Sequence, residues 1–338
     1  MKRDMKAWAA QVIANPWKSA IPILSFPCVS LLDIEVTELT ADPDMQAKGM
    51  KLVADRVPSG AAVSMMDLSV EAEAFGSTVR FLPDEVPTIT GRLVTTPEEV
   101  ETLKISTVGT GRTGDYVQAI GKACEHITDR PVLAGLIGPF SLAGHLMGVS
   151  DIMVECFEEP EAVHTVLSKV TDFLVDYIKA YKDIGANGAV VAEPLAGLLS
   201  PALAAEFSAP YVSRLAKSAQ DNHFLVIYHN CGNNTPLMMD SILSTGCDGY
   251  HFWDAVNMAD LVGLVPKDKL VMGNISSSAQ FLSGTPKSIR EDTLKVLREC
   301  SPGHENFIIS SGCDIPPRSP WVNIEAFFDA VEEYCAQG

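Results

Sequence analysis

The chain has 338 residues, of which 47% are hydrophobic, enough for one large α/β domain or two smaller ones. Its 25 Lys and Arg against 43 Asp and Glu give a net charge of −18. That charge argues against nucleic acid and anionic membranes as partners, because both bind basic surfaces. No apolar run reaches the roughly 20 residues that cross a bilayer, and no signal-peptide pattern follows the charged start. We therefore expect a cytoplasmic protein whose eight scattered cysteines are reduced or bind metal.

Short apolar runs alternate with helical patterns along most of the chain. A helical pattern over residues 3–14 ends at Asn15-Pro16 and precedes the first strand-like run. Eight such runs are present, at 21–27, 61–67, 131–137, 188–193, 224–228, 249–252, 270–273 and 306–310. Helices are predicted at 44–56, 141–156, 160–184, 201–219, 236–244, 286–299 and 322–336. The stretch 68–130 is predicted to hold loops and one or two helices.

This alternation is typical of parallel βαβ units, in which a helix connects each strand to the next. Eight strands over this length predict a (β/α)8 barrel, or TIM barrel, with an open doubly wound sheet as the alternative. We expect a single barrel domain over residues 1–338 with an N-terminal helical extension. Residues 109–114 match the G-x-G-x-x-G pattern, but no strand precedes them, so a plain loop is predicted rather than a dinucleotide site.

Polar or reactive side chains stand at or just after the ends of several predicted strands. They are Asp67, Glu193, His229, Cys231, Asp254, Asn274 and Cys313. In a barrel of this kind the carboxyl ends of all strands share one face, which carries the active site. Cys231 and Cys313 therefore reach the same mouth although they are far apart in sequence. His251, inside the sixth strand, is not included because packing in the barrel explains it equally well.

One histidine and two cysteines of this set form a candidate metal site: His229, Cys231 and Cys313. An imidazole and two thiolates are a preferred ligand set for Zn²⁺, and three protein ligands leave the fourth position open. His229 and Cys231 alternate along an extended segment and so face the same side, although this pair alone is more typical of a core histidine beside a buried thiol. Water, a substrate or the carboxylate of Glu193 or Asp254 would take the fourth position, and a scaffold role explains either carboxylate equally well.

Four segments resemble the uroporphyrinogen decarboxylase superfamily: DLSVEAEAFG at 67–76, GPFSLA at 138–143, HNCG at 229–232 and GCDIP at 312–316. More closely, they resemble its zinc-dependent branch, the methylcobamide:coenzyme M methyltransferases. The resemblance runs from roughly residue 20 to the end of the chain. It implies a uroporphyrinogen decarboxylase-like barrel in which His229, Cys231 and Cys313 bind Zn²⁺.

The decarboxylases of this superfamily differ from the chain at the sites. Their arginine-rich N-terminal motif is missing, because residues 15–22 contain no arginine. Where they carry a glycine–histidine pair near the C-terminus, this chain has Gly312-Cys313. A tetrapyrrole with many carboxylates needs cationic partners, so decarboxylation is disfavoured.

The resemblance implies transfer of a methyl group from a methylated corrinoid, carried by a partner protein, to a zinc-bound thiol such as coenzyme M. Glu193 or Asp254 would complete the zinc shell or accept the thiol proton, and Asn274 would position the acceptor by hydrogen bonding. Three alternatives remain open. They are a first-step methyltransferase moving methyl from an ether, alcohol or amine to a corrinoid protein, a decarboxylase, and a non-catalytic zinc-stabilised barrel that binds a corrinoid protein.

Overall fold

Parallel strands form the centre of the molecule in the computed structural model, which describes residues 3–337. Seven of them form one sheet: Ala62–Val63 (β1), Val132–Ile137 (β4), Gly188–Glu193 (β5), Leu225–Asn230 (β6), Gly249–Phe252 (β7), Leu270–Ile275 (β8) and Phe307–Ser311 (β9). They lie side by side in chain order and every neighbouring pair is parallel. Thr78–Leu82 (β2) and Glu85–Thr90 (β3) form a separate antiparallel hairpin.

Helices connect and surround these strands. They are Met5–Ala14 (α1), Val29–Leu32 (α2), Val36–Ala41 (α3), Pro43–Arg56 (α4), Val70–Phe75 (α5), Pro97–Thr102 (α6), Thr113–His126 (α7), Pro139–Met147 (α8), Val149–Glu158 (α9), Pro160–Asp183 (α10), Pro201–Leu203 (α11), Ala209–Ala219 (α12), Met239–Ser244 (α13), Met258–Val262 (α14), Pro286–Cys300 (α15) and Trp321–Gln337 (α16). The predicted helix over 141–156 is two helices, α8 and α9, bent by 102° at Gly148, whose φ of +99° favours glycine.

An irregular segment takes the place of the predicted first strand and closes the sheet into a barrel. Ala20 forms an isolated parallel bridge with Ile309 of β9, and its carbonyl accepts from the Gly60 amide on the β1 side at 2.9 Å. The expectation of a regular strand at 21–27 was wrong in detail, because Pro22 and Pro27 supply no N–H for a ladder. A serine hydroxyl substitutes in part, since Ser311 Oγ accepts from the Ile23 amide at 3.0 Å. The predicted (β/α)8 barrel is confirmed.

Apolar side chains that point inward from β1, β4, β5, β6, β8 and β9 fill the barrel interior. Leu225 and Ile227 of β6 point inward with Leu133, Val190, Leu270, Met272 and Ile308. Because side chains alternate along a strand, the next inward residue after Ile227 is His229. A second apolar cluster packs the outer face of the sheet against the helices. The alternation therefore places His229 in a polar layer above the apolar part of the interior.

Helix α1 closes the opposite end of the barrel. The Asp4 side chain caps it by accepting from the Ala7 amide at 2.9 Å. The Met5 amide donates to the carbonyl of Asn222, just before β6, and Met5 packs on the inner apolar row. Lys6 pairs with Asp248, just before β7. The mouth at the carboxyl ends of the strands is thus the open end of the barrel.

Two features of the connecting segments matter for the site. The stretch 68–130 contains helices α5, α6 and α7, and also the β2–β3 hairpin, which the sequence did not predict. No single helix among residues 3–337 is long and apolar enough to cross a membrane; α8 and α9 meet the length and composition criteria only when joined, across their sharp bend.

Candidate metal centre

The three predicted ligands come together at the carboxyl ends of β6 and β9. His229 is the fifth residue of β6, Cys231 follows that strand directly, and Cys313 follows β9 by two residues. One ligand atom from each of the three lies within 4.8 Å of those of the other two. Cys231 Sγ is 2.7 Å from His229 Nε2. His229 is buried and the cysteines are partly buried, so the cluster faces the mouth with an enclosed imidazole behind it.

Hydrogen bonding between the two thiols pushes their pKa values apart. The hydrogen bond from Cys231 lowers the pKa of Cys313 well below its ordinary value, and contact with His229 lowers it further against the opposing effect of burial. The same thiol–thiol hydrogen bond, followed by burial, raises the pKa of Cys231 well above its ordinary value. One thiolate is therefore formed readily, and a bound cation would draw off the second proton as well. This donor set fits Zn²⁺, which takes thiolate sulfur and neutral imidazole nitrogen.

A second histidine, which the sequence analysis set aside, completes the buried side of the centre. His251 of β7 is the register partner of His229, and the Nδ1 atoms of the two rings are 2.6 Å apart. His251 Nε2 lies 2.8 Å from Ser310 Oγ of β9. Burial, followed by the neighbouring His229, lowers the pKa of His251 well below its ordinary value, which keeps the ring neutral. The signal available in the sequence was the matched position of the two histidines on consecutive strands.

Asp254 lies beside the three ligands. It follows β7 in a loop that packs on Gly312, where an added Cβ would stand 2.6 Å from Asp254 Oδ1. Its negative charge is one of the causes that raise the pKa of Cys231. Its carboxylate is not part of the three-residue cluster found among residues 3–337. Gly312 is thus the residue that allows this carboxylate to approach the Cys313 loop.

Asn274 holds the Asp254 loop in place. Its Nδ2 donates to the carbonyls of Trp253 and Val256, at 2.9 and 2.8 Å. These two residues flank Asp254, so the amide nitrogen of Asn274 is occupied by the backbone and not directed at a ligand. Asn274 therefore positions the Asp254 loop, and its expected role in positioning an acceptor by hydrogen bonding stays a prediction.

The Glu193 carboxylate forms its hydrogen bonds at the start of α8 and not with the three candidate ligands. Its Oε1 accepts from the Phe140 amide at 2.9 Å, and its Oε2 accepts from the amide and hydroxyl of Ser141 at 2.9 and 2.7 Å. Gly138 leaves room for it, since an added Cβ there would overlap the carboxylate. Glu193 therefore binds the N-terminus of α8, where the helix dipole favours an anion, and is not in the three-residue cluster. Of its two predicted roles, the geometry matches the scaffold.

Replacing Glu193 with Gln is expected to weaken the pH dependence of stability. Burial outweighs the three hydrogen bonds and raises the pKa of Glu193 from 4.5 to about 7. A raised carboxyl pKa stabilises the fold fully below the unfolded value, and this contribution is lost as the pH rises through the folded value. The wild type should lose on the order of 3 kcal/mol more than the variant between about pH 4.5 and pH 7.

Urea unfolding of both proteins at a series of pH values measures this difference. Glu332→Gln, on the exposed side of α16, is the matched control and should leave the wild-type profile in place. Parallel profiles for wild type and Glu193→Gln would contradict the assignment of the titrating group.

Asp67 also has a structural role, because neighbouring side chains bind its carboxylate. The Arg112 guanidinium forms an ion pair with it, the Tyr116 hydroxyl donates to Asp67 Oδ2 at 2.7 Å, and Ser69 donates to Oδ1 at 2.6 Å. Arg112 also donates to Glu73 at 2.7 Å. The glycine-containing stretch 109–114 is a loop leading into α7, as predicted, and its arginine anchors the segment that follows β1.

A cavity of about 410 Å³ lies between the segment after β1, the hairpin and α8. Met66, in its wall, donates its amide to Asp314 Oδ2 at 2.7 Å, and Asp314 directly follows Cys313. His145 in the wall has a buried Nδ1 without a hydrogen-bond partner. The lining contains neither acidic residues nor Lys or Arg: Met66, Leu68, Ser69, Val86, Pro87, Thr88, Ile89, Gly91, Gly144, His145, Gly148 and Val149. Its size suits a small ligand.

Comparison with known proteins agrees with this fold. The chain is 27% identical over 274 residues to "Methylcobamide:CoM methyltransferase MtbA" of Methanosarcina acetivorans, covering 79% of this chain and 78% of the relative. It is 29% identical over 276 residues to "Methylated-thiol--coenzyme M methyltransferase" of Methanosarcina mazei, covering 81% and 72%. The solved structure "methyltransferase from Methanosarcina mazei" superposes with a TM-score of 0.87 at 20% identity, covering 99% of each chain.

The family model described as Uroporphyrinogen decarboxylase (URO-D) matches residues 30–334. That match begins after the irregular closing segment, extends into α16 and includes all three members of the His/Cys/Cys cluster. The chain therefore belongs to the uroporphyrinogen decarboxylase family.

Proposed function

We propose that this protein is a corrinoid-dependent methyltransferase that uses Zn²⁺, held by His229, Cys231 and Cys313, to activate a thiol acceptor. The observation that carries the proposal is the clustering of one imidazole and two thiols within 4.8 Å at the open mouth of the barrel. Three protein ligands at an open mouth are typical of a catalytic zinc, whereas structural zinc sites have four closed ligands. Two relatives with methyltransferase names, quoted above, support the same class of reaction.

In the proposed reaction the methyl carbon leaves the cobalt of a corrinoid and bonds to the sulfur of the acceptor, whose proton is lost. A free alkyl thiol is mostly protonated at neutral pH, and the thiolate is the nucleophile. Zinc would supply the charge that keeps the acceptor sulfur deprotonated. Asp254 would accept the proton or fill the fourth position until the acceptor arrives, and its proximity to Cys231 supports this role. Gly312 and Asn274 hold its loop in that place.

The corrinoid would be presented by a partner protein at the mouth. Helix α1 covers the other end of the barrel, so only the mouth gives access to Cys231 and Cys313. Exposed apolar side chains stand on segments that follow β4, β5 and β6: Val149, Leu198 and Leu237. Exposed apolar residues around a functional opening are typical of protein contact surfaces.

One observation favours a second candidate, a first-step methyltransferase that moves methyl from an ether, alcohol or amine to a corrinoid protein. The cavity lined by Met66 and Leu68 has a mostly apolar lining without Asp, Glu, Lys or Arg, which suits an uncharged methyl donor such as an ether or an alcohol better than an anionic acceptor. The same lining disfavours a tetrapyrrole decarboxylase, because a substrate with several carboxylates requires cationic partners.

The proposal is tested by demethylation of methylcobalamin in the presence of a panel of thiols. The zinc-loaded protein should convert methylcobalamin and one of the thiols into cob(I)alamin and a methyl thioether. A chelator should abolish the reaction and added Zn²⁺ should restore it. Turnover that persists after complete removal of the metal would contradict the role given to zinc. Methylation of cob(I)alamin by an ether, with no reaction of thiols, would select the second candidate.

A further inference from the structure

A continuous chain of hydrogen-bonding groups runs from the barrel-closing segment to the metal ligand His229. His229 Nδ1 is 2.6 Å from His251 Nδ1, and His251 Nε2 is 2.8 Å from Ser310 Oγ. Ser310 Oγ is in turn 2.8 Å from the backbone carbonyl of Ile21. All four residues are at most 1% exposed, so water does not compete for these contacts. These hydrogen bonds join β6, β7, β9 and the closing segment in one layer of the barrel.

The backbone carbonyl of Ile21 ends this series of hydrogen bonds and determines which group donates in each of them. A backbone carbonyl only accepts, so the single hydroxyl hydrogen of Ser310 points to Ile21. The Ser310 oxygen must then accept from His251 Nε2–H. The buried His251 ring has His229 and Ser310, and no carboxylate, as its side-chain hydrogen-bond contacts, so it holds a single proton, the one on Nε2. His251 Nδ1 is left with a lone pair and accepts from the Nδ1–H of His229. The lone pair of His229 is thereby left on Nε2, the atom 2.7 Å from Cys231 Sγ.

We propose that His251 and Ser310 are positioning residues for the metal centre, which select the tautomer of His229 that presents Nε2 to the ion. A metal-ligating histidine usually donates its other N–H to a carboxylate, carbonyl or water, and that partner sets the ring orientation and ligand basicity. Here a second imidazole fills that role, packed edge-to-face on His229 with ring centroids 4.5 Å apart. The inference rests on the zinc site of the proposed function, but not on the identity of the methyl acceptor or on the direction of transfer.

Two variants interrupt this series of hydrogen bonds at different points. His251→Phe keeps an aromatic ring of similar size but removes the acceptor for the His229 Nδ1–H. Ser310→Ala keeps His251 and removes the group that fixes its tautomer, so His251 can turn its N–H toward His229. Tyr250→Phe is the matched control: it lies on the same strand, and its hydroxyl donates to the Leu243 carbonyl at 3.2 Å, away from the metal ligands.

Zinc affinity, measured by competition with a chromogenic chelator, is the first readout. It should fall by about 10- to 100-fold in His251→Phe and by about tenfold in Ser310→Ala, with no change in Tyr250→Phe. Circular dichroism and thermal melting check that each variant is folded. Ser310→Ala is the smaller change and tests the inference alone if His251→Phe does not fold. Wild-type affinity in folded variants of both kinds would overturn the proposal.

The second readout is the tautomer of His229. If His251 only packed against His229, it would not determine that tautomer. Long-range ¹⁵N–¹H spectra of the full-length chain labelled at its seven histidines should show one ring protonated at Nδ1 and bare at Nε2. In Ser310→Ala this ring should shift toward a mixture of tautomers. A wild-type His229 protonated at Nε2 in the zinc-free protein would overturn the inference. If instead the tautomer and affinity results hold while methylcobalamin is not consumed, the proposed function fails and the inference stands.

Discussion

Cys231→Ala and Cys313→Ala are each expected to reduce bound zinc from about one ion per chain to a small fraction. Each variant removes one of three protein ligands from a cluster whose atoms already lie within 4.8 Å of one another. Zinc sites built from such ligands bind with roughly 12 kcal/mol in all. Losing one of three should cost on the order of 4 kcal/mol, about a thousandfold in affinity.

Metal analysis of protein grown in zinc-replete medium, followed by chelator competition, measures this effect. Cys124→Ala is the matched control, because it removes a thiol on α7 that has no ligand-forming neighbours among residues 3–337. It should retain the wild-type zinc content. Full zinc occupancy in both ligand variants, or no zinc in the wild type, would exclude the site.

The strand pattern made the His/Cys/Cys cluster predictable from sequence. Each buried strand of a parallel barrel reads as a short apolar run, and residues at its carboxyl end share one face with those of every other strand. His229, Cys231 and Cys313 could therefore be placed together without knowing any contact. The closing segment was harder, because Ile21 to Phe26 has the composition of a strand but Pro22 interrupts the ladder that defines one.

The residues that were placed less well are those whose role depends on partners distant in sequence. Glu193 and Asp254 both end strands, and only the structure shows that α8 binds one of them while the other lies against Gly312. His251 has the composition of a packed core residue until the β6–β7 register sets it opposite His229. Hydrogen-bond partners across strands depend on register, and strands buried on both faces read as continuous apolar runs whose sequence shows no alternation from which to read it.

Adding the true acceptor thiol is expected to place a third sulfur on the bound zinc. The two cysteine thiolates supply two sulfurs and His229 one nitrogen, so X-ray absorption should show sulfur coordination rising from two to three. A proton should be released at the same time, since a thiol must be deprotonated to bind, and a pH indicator in weak buffer records it. Coenzyme M, homocysteine and related thiols form the panel.

The ether-activating alternative gives the opposite result in the same experiment. It predicts an oxygen from the methyl donor at the fourth position and two sulfurs throughout, with thiols acting only as competitors.

Asp254→Ala separates the role of the carboxylate from that of the acceptor. If Asp254 fills the fourth position before substrate binds, the variant should show a water oxygen there and bind the thiol at least as tightly. Sulfur coordination that stays at two with every thiol tested, in protein shown to contain zinc, would reject binding of the acceptor thiol at the open position and select ether activation.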